Sequence, residues 1–142
     1  MILLDLLRTK GQTVISVRAD DSVAVAAQTM IDNHVGSAVV YDEAGKVVGL
    51  LSERDLVHGL ARRGANLDAV AVRDLMTTNV VHCQPHDDVN AAMGLMTNRR
   101  VRHLPVFEGE RLVGIISIGD LVKNRIDEIE DEARHLRDYI SA

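Results

Sequence analysis

The stretch "VGLLSERDLV" at residues 48–57 returns near the other end of the chain as "VGIISIGDLV" at residues 113–122. Each copy is a short apolar run that stops at a Ser, with an Asp three residues further on. The run reads as a buried strand. The Ser-x-x-Asp spacing reads as the first turn of a helix, where a Ser oxygen and an acid can satisfy unpaired backbone N–H groups reciprocally. One strand-to-helix junction is therefore written twice.

The repetition extends outward in both directions. Val23 pairs with Val89, Val35 with Val101 and Val40 with Val106 at a constant offset of 66; one residue drops after Phe107, and Gly49 then pairs with Gly114 at an offset of 65. Upstream, "DLLRT" at 5–9 answers "DLMTT" at 74–78, and "VISV" at 14–17 answers "VVHC" at 80–83. The chain is two copies of a unit of about 60 residues, too small to bury its apolar faces well alone, so the copies are expected to pack on each other. Residues 1–66 are expected to hold an N-terminal linker helix and the first repeat. Residues 67–142 would hold a linker, the second repeat and a C-terminal helix.

Each copy reads as strand, amphipathic helix, two strands and a second helix, an α+β sandwich-like fold of two β-α-β-β-α repeats. In the first copy "VISV" is a strand, and Asp21 and Ser22 offer helix caps before Val23, Ala26, Ala27, Met30 and Ile31, which recur at helical spacing. "SAVVY" and "KVVGLL" are strands joined by "DEAG", whose Gly45 suits a turn. Ser52 opens a helix ending near Gly64. The second copy predicts strands near 80–83, 104–107 and 111–116 and a helix over 87–99, with Pro105 confined to an edge or strand-start position.

Composition excludes several classes. The 142 residues are 46% hydrophobic and 26% charged, as for one soluble domain with a sizeable core, and the formal net charge of −5 argues against a nucleic-acid groove or a polybasic membrane surface. The single cysteine, Cys83, fits a reducing compartment. "MILLDLLRTKG" has no cationic leader and is broken by Asp5, unlike a secretion signal, and no stretch approaches a membrane span. A cytoplasmic protein is expected.

The arrangement resembles a tandem pair of cystathionine β-synthase (CBS) domains, a Bateman module, in its free-standing single-module form. "GLLSERD", "GIISIGD", "RVRHLPV" and "DLMTTNV" carry the resemblance, which covers nearly the whole chain. It implies pseudo-two-fold symmetry between the repeats and a regulatory module that binds an adenine nucleotide in the cleft between them. AMP is the first candidate, with ADP, ATP, NADH or S-adenosylmethionine open. It also implies homodimers and an unidentified protein partner that reads a ligand-induced change of shape. No catalytic cofactor is implied.

Two readings of Ser52 with Asp55, and of Ser117 with Asp120, stand side by side. Both pairs can be capping boxes. A helix N-terminus also suits phosphate, and an acid one turn in can accept from two ribose hydroxyls; in CBS pairs these positions contact the ribose and phosphate. Arg102 and His103 align with family positions whose basic side chains reach phosphates, where the first copy has Gly36 and Ser37. The neighbouring Arg99 and Arg100 can simply complement a helix dipole. Arg54 lies in a helix first turn, explained equally by an anionic ligand or by solvent. The family also implies an adenine slot at Thr13, Val14 and Ile15 in copy one and at Thr78, Asn79, Val80 and Val81 in copy two. Most of these valines could equally be plain core.

Competing chemistries are weaker. "HCQPH" at 82–86 places two His and a Cys close together, but Cys83 aligns with a strand residue, should point opposite to His82 and has no evident fourth ligand, so no metal site is expected. A constitutive scaffold, whose Ser and Asp only cap helices, and an enzyme acting on the bound nucleotide remain as alternatives. Finally, Val122, Ile126, Ile129, Ala133, Leu136 and Ile140 form an apolar stripe at alternating spacings of four and three. It needs a partner surface, either its own module or a second chain across a homodimer.

Overall fold

The computed structural model describes residues 1–11 and 13–141. Their elements are α1 (Leu3–Lys10), β1 (Ser16–Arg18), α2 (Val23–Asp32), β2 (Ser37–Tyr41), β3 (Val47–Ser52), α3 (Glu53–Arg63), α4 (Val72–Leu75), α5 (Val89–Arg99), β4 (His103–Glu108), β5 (Arg111–Ser117) and α6 (Ile118–Ser141). A 3-10 turn at Leu67–Ala69 precedes α4.

The chain divides into two compact units. One is Thr13–Val80, the first-repeat unit; the other joins the residues before Thr13 to those from Val81 onward and is the second-repeat unit. This differs from a division at residue 66, and the reason is reciprocal docking of the linkers. Leu3, Leu6 and Leu7 of α1 are buried in the same core as Leu104, Ile116 and Leu121. Backbone bonds from Leu3 N–H to Asp87 O and from Leu4 N–H to Pro85 O, both 2.9 Å, fix the helix there. In the first-repeat unit the segment at 70–77 does the equivalent work: Val23 N–H bonds Val70 O at 2.8 Å, Val72 N–H bonds Asp21 O at 2.9 Å, and Thr77 pairs with Leu50. Each repeat thus receives the linker that the sequence writes ahead of the other.

The repeated glycines follow from this docking. A Cβ at Gly49 would stand 2.7 Å from Thr77 O and 3.0 Å from Met76 Sδ, and a Cβ at Gly114 would stand 2.7 Å from Leu7 Cδ2. Both positions exclude a side chain because a linker crosses the strand there.

In the first-repeat unit β1 runs parallel to β2, and β2 antiparallel to β3, with Ser37 opposite Ser52 and Val39 opposite Leu50. The β2–β3 turn closes as its composition predicts: Asp42 Oδ1 accepts from Ala44 and Lys46 N–H at 2.9 Å, and Gly45 takes φ 79°. In α2, Ser22 Oγ caps Val25 N–H at 3.1 Å, and Val23, Ala26 and Met30 face the core. Ile31 departs from expectation and is exposed, because it lies off the stripe those three define.

In the second-repeat unit β4 pairs antiparallel with β5, with His103 opposite Ser117 and a bulge between Val106 and Phe107 that matches the one between Val40 and Tyr41. The strand expected near 80–83 does not form as a strand; it is reduced to one parallel bridge from Cys83 to Val106. The causes are Pro105 and Pro85, the latter standing where Ala19 N–H donates to Tyr41 O at 2.9 Å in the first repeat. In the first repeat Val39 N–H donates to Ile15 O at 3.0 Å and extends β1. Its counterpart Pro105 has no N–H to offer Val81, although its carbonyl still accepts from Cys83 N–H at 2.9 Å. Pro105 consequently lies inside β4, where its missing donor shortens the neighbouring strand instead of ending its own.

Candidate functional site

In each unit the register gathers one set of residues at one end of the sheet. Because β1 and β2 are parallel and β3 returns antiparallel, the entry to β1, the start of β2 and the β3–α3 junction lie together. That end carries Thr13, Val14 and Ile15, then Gly36 and Ser37, then Ser52, Arg54 and Asp55. In the second-repeat unit the matching end carries Val81, Arg102 and His103, then Ser117 and Asp120. Thr78, Asn79 and Val80 fall at the end of the first-repeat unit, after the Leu50–Thr77 pairing. Thr78 and Asn79 are exposed; Val14, Ile15, Val80 and Val81 are half-buried.

Both Ser–Asp pairs are formed capping boxes. Ser52 N–H donates to Asp55 Oδ2 at 2.9 Å, and Asp55 N–H donates to Ser52 Oγ at 3.3 Å. Ser117 N–H donates to Asp120 Oδ2 at 2.8 Å, and Asp120 N–H donates to Ser117 Oγ at 3.1 Å. A further first-turn donor is taken by the strand next door: Glu53 N–H bonds Gly36 O at 3.0 Å, and Ile118 N–H bonds Arg102 O at 2.8 Å. Three of the roughly four donors a helix start leaves open are thereby satisfied. Anion binding at these termini would depend chiefly on side-chain cations.

The two carboxylates differ in their remaining partners. Asp55 has both oxygens engaged, since the Ser52 hydroxyl reaches Oδ2 at 3.1 Å and the Thr77 hydroxyl reaches Oδ1 at 3.1 Å. Asp120 meets a cation, Lys10, whose Nζ lies 2.5 Å from the same Oδ2 that Ser117 holds and 2.7 Å from Ile115 O. Burial alone would raise the Asp120 carboxyl. The Lys10 and Ser117 bonds and the Lys10 charge outweigh it and hold the group below the usual carboxylate range.

Lys10 and Thr77 are the residues that sequence reasoning missed. They sit at the ends of the two linkers, and the homology of "DLLRT" with "DLMTT" was the available signal, because it places matching segments beside matching strands. Arg99 ends α5, where it complements the dipole, and Arg100 follows as a left-handed cap with φ 54°, the conformation its counterpart His34 also takes. Arg54 is exposed in the first turn of α3.

The 82–86 stretch is occupied structurally. Cys83 is buried in the strand bridge, and burial first, then the Asp87 charge, pushes its thiol up. His82 packs edge-on against Phe107 with ring centres 5.7 Å apart. Among the described residues no group of three His, Cys, Asp or Glu is placed to hold a metal, and no helix is long and apolar enough to cross a membrane.

A model of the CBS domain matches residues 7–62 and 72–127, the two repeats in register. The chain belongs to the CBS domain family. A CBS-domain-containing protein from Agrobacterium tumefaciens has a solved structure 45% identical in sequence to this CBS pair, with a TM-score of 0.84 over 87% of this chain and 92% of that one. A mitochondrial CBS domain-containing protein of Arabidopsis thaliana is 31% identical over 96% of this chain and 70% of its own length. A CBS domain protein from Pyrobaculum aerophilum, solved in complex with AMP, is 25% identical with a TM-score of 0.75, covering 84% of this chain and 89% of that one. The two solved structures share this chain's α+β CBS-pair fold, and this chain ends in the long helix α6.

Proposed function

We propose that this CBS pair is a regulatory, non-catalytic module that binds an adenine nucleotide, with AMP the first ligand to test. Binding would change the module's shape, and a protein partner would read the change. The observation that carries the reading is the state of Asp120. It is ion-paired with Lys10, its bonds to Ser117 and Lys10 fall on Oδ2, and among the described residues no hydrogen bond falls on Oδ1, which would accept a ligand hydroxyl; Arg102 and His103 lie where β4 pairs with Ser117. A ribose diol needs such an acceptor, and a phosphate needs N–H donors such as these side chains carry. Ser117, Asp120, Arg102, His103 and Val81 form the stronger of two proposed sites, in the second-repeat unit; Thr78, Asn79 and Val80, at the end of the first-repeat unit, are kept as proposed ligand residues. Ser52, Arg54, Asp55, Thr13, Val14 and Ile15 form the weaker site, in the first-repeat unit, because Asp55 already has both oxygens engaged. The AMP-bound relative from Pyrobaculum aerophilum supports the ligand class. The lone buried thiol suits a reducing cytoplasm, and a homodimer is the proposed assembly.

Calorimetric titration of the full chain with AMP is the test, and saturable binding is expected. At a ligand concentration of about 100 Kd the fold should gain about 2.7 kcal/mol, visible as a raised Tm, with guanylate giving less. No heat and no shift with any adenine nucleotide overturns the sensor reading and favours a scaffold, for which the completeness of both capping boxes without ligand is the supporting observation. Conversion of AMP on prolonged incubation, read by chromatography, would contradict the non-catalytic reading.

A further inference from the structure

α6 outruns the unit that holds its start. Leu121 is fully buried and Asn124 and Glu128 are half-buried, but every described residue from Ile129 onward is exposed. At about 1.5 Å per residue the overhang runs about 20 Å. An isolated helix of that length is marginal in water and gains most of its stability from packing an apolar face.

The apolar face is there and is bare. Ile126 is 50% exposed, Ile129 51%, Leu136 60% and Ile140 74%. With about 3.6 residues per turn, the stripe from Val122 to Ile140 lies roughly 125° round the helix from the face of Leu121, Asn124 and Glu128 that meets the second-repeat unit. Packing against its own unit therefore leaves the stripe uncovered.

The flanking charges identify the occupant. Taking Ile126, Ala133 and Ile140 as a positions and Val122, Ile129 and Leu136 as d positions, the e sites are Lys123, Glu130 and Arg137, and the g sites are Arg125, Glu132 and Tyr139. In a parallel, in-register pair each g residue faces the e residue five further along in the other chain. Arg125 then meets Glu130 of the second copy, and Glu132 meets Arg137. In an antiparallel pair with the stripes fully overlapped, e faces e and g faces g. Glu130 would oppose Glu130, Glu132 would oppose Glu132, and Lys123 would oppose Arg137, all like charges. Arg125 at present bonds Glu128 of its own helix at 3.3 Å, an exposed contact that is readily exchanged.

We infer that α6 is a docking surface for a second copy of this chain, pairing with it as a parallel, in-register, two-stranded coiled coil. This deepens the homodimer reading above and does not depend on nucleotide binding.

The test uses the full chain carrying Ile140→Cys, with Asp138→Cys, on the outer face of the helix, as the control. Oxidation at tens of micromolar should cross-link Ile140→Cys into a covalent dimer on a non-reducing gel and leave Asp138→Cys monomeric, since disulfides need Cα atoms within about 7 Å. Sedimentation of the unmodified chain should give a dimer. Arg137→Glu should weaken it about five- to thirty-fold, and adding Glu132→Arg should restore it. A dimer without the cross-link overturns the parallel register while leaving the homodimer standing. A monomer overturns both, and a trimer overturns the two-stranded pairing.

Discussion

Val39 and Pro105 hold the same place in two copies of one unit, and the strands beside them differ accordingly. Val39 donates to Ile15 and β1 forms over Ser16–Arg18; Pro105 cannot donate, and the matching stretch retains one bridge at Cys83. A second difference lies at the helix starts. Asp55 is closed off by the neutral Thr77 hydroxyl, whereas Asp120 is charged against Lys10. The two repeats share a frame and have diverged in what their edges offer, the first toward a finished sheet and the second toward an electrostatically prepared carboxylate.

Moving the proline across should break the comparison most severely. Val39→Pro removes a ladder bond at a fully buried position and should cost about 3 kcal/mol or more, measured by urea unfolding. A loss below about 1 kcal/mol would show that the β1 pairing contributes little.

The glycine pair should separate by a smaller margin. Gly49→Ala drives a Cβ toward the Thr77 carbonyl, which is backbone in a paired bridge, and should cost about 1–3 kcal/mol. Gly114→Ala meets only the tip of the Leu7 side chain, which can turn aside, and should cost less. The reverse order in matched urea unfolding would mean that α1 is held more rigidly than the Thr77 bridge.

Lys10→Met tests the electrostatic difference. Asp120 has a lowered folded-state pKa, so its contribution to stability is present above the ordinary value of 3.8 and fades as pH falls below it. Removing Lys10 should cost under about 1 kcal/mol at neutral pH, because both groups are partly exposed, and should flatten the acid limb below pH 3.8. An unchanged acid limb would remove Lys10 as the cause.

Pro105→Val should give the smallest change in stability, within about 1 kcal/mol, since the gained hydrogen bond offsets the lost rigidity of the unfolded chain. Its signature is local: the new N–H at 105 should be protected from hydrogen exchange by Val81.

Much of this was legible in the residues. The repeat offset located β2, β3, β4 and β5 and the helices following them, because apolar runs and caps are local signals. The capping boxes were legible for the same reason. Lys10 was not, since its partner Asp120 is 110 positions away and the two meet only because α1 docks on the second-repeat unit. The shortened strand at 80–83 depended on Pro105, 22 residues beyond Cys83, together with Pro85; a donor missing from one strand is invisible in the other until the pairing is known. The openness of Asp120 relative to Asp55 likewise depended on which linker reaches which carboxylate.

AMP calorimetry with Asp120→Asn and Asp55→Asn tests the unequal repeats most directly. An amide at 120 keeps one acceptor oxygen but presents donors to the ribose hydroxyls and loses the charge Lys10 supports. Asp120→Asn is expected to weaken the tighter binding event about tenfold or more, and Asp55→Asn to leave it nearly unchanged. Loss of that event in Asp55→Asn, with Asp120→Asn binding as the unmodified chain does, would contradict the assignment of the stronger site to the second repeat.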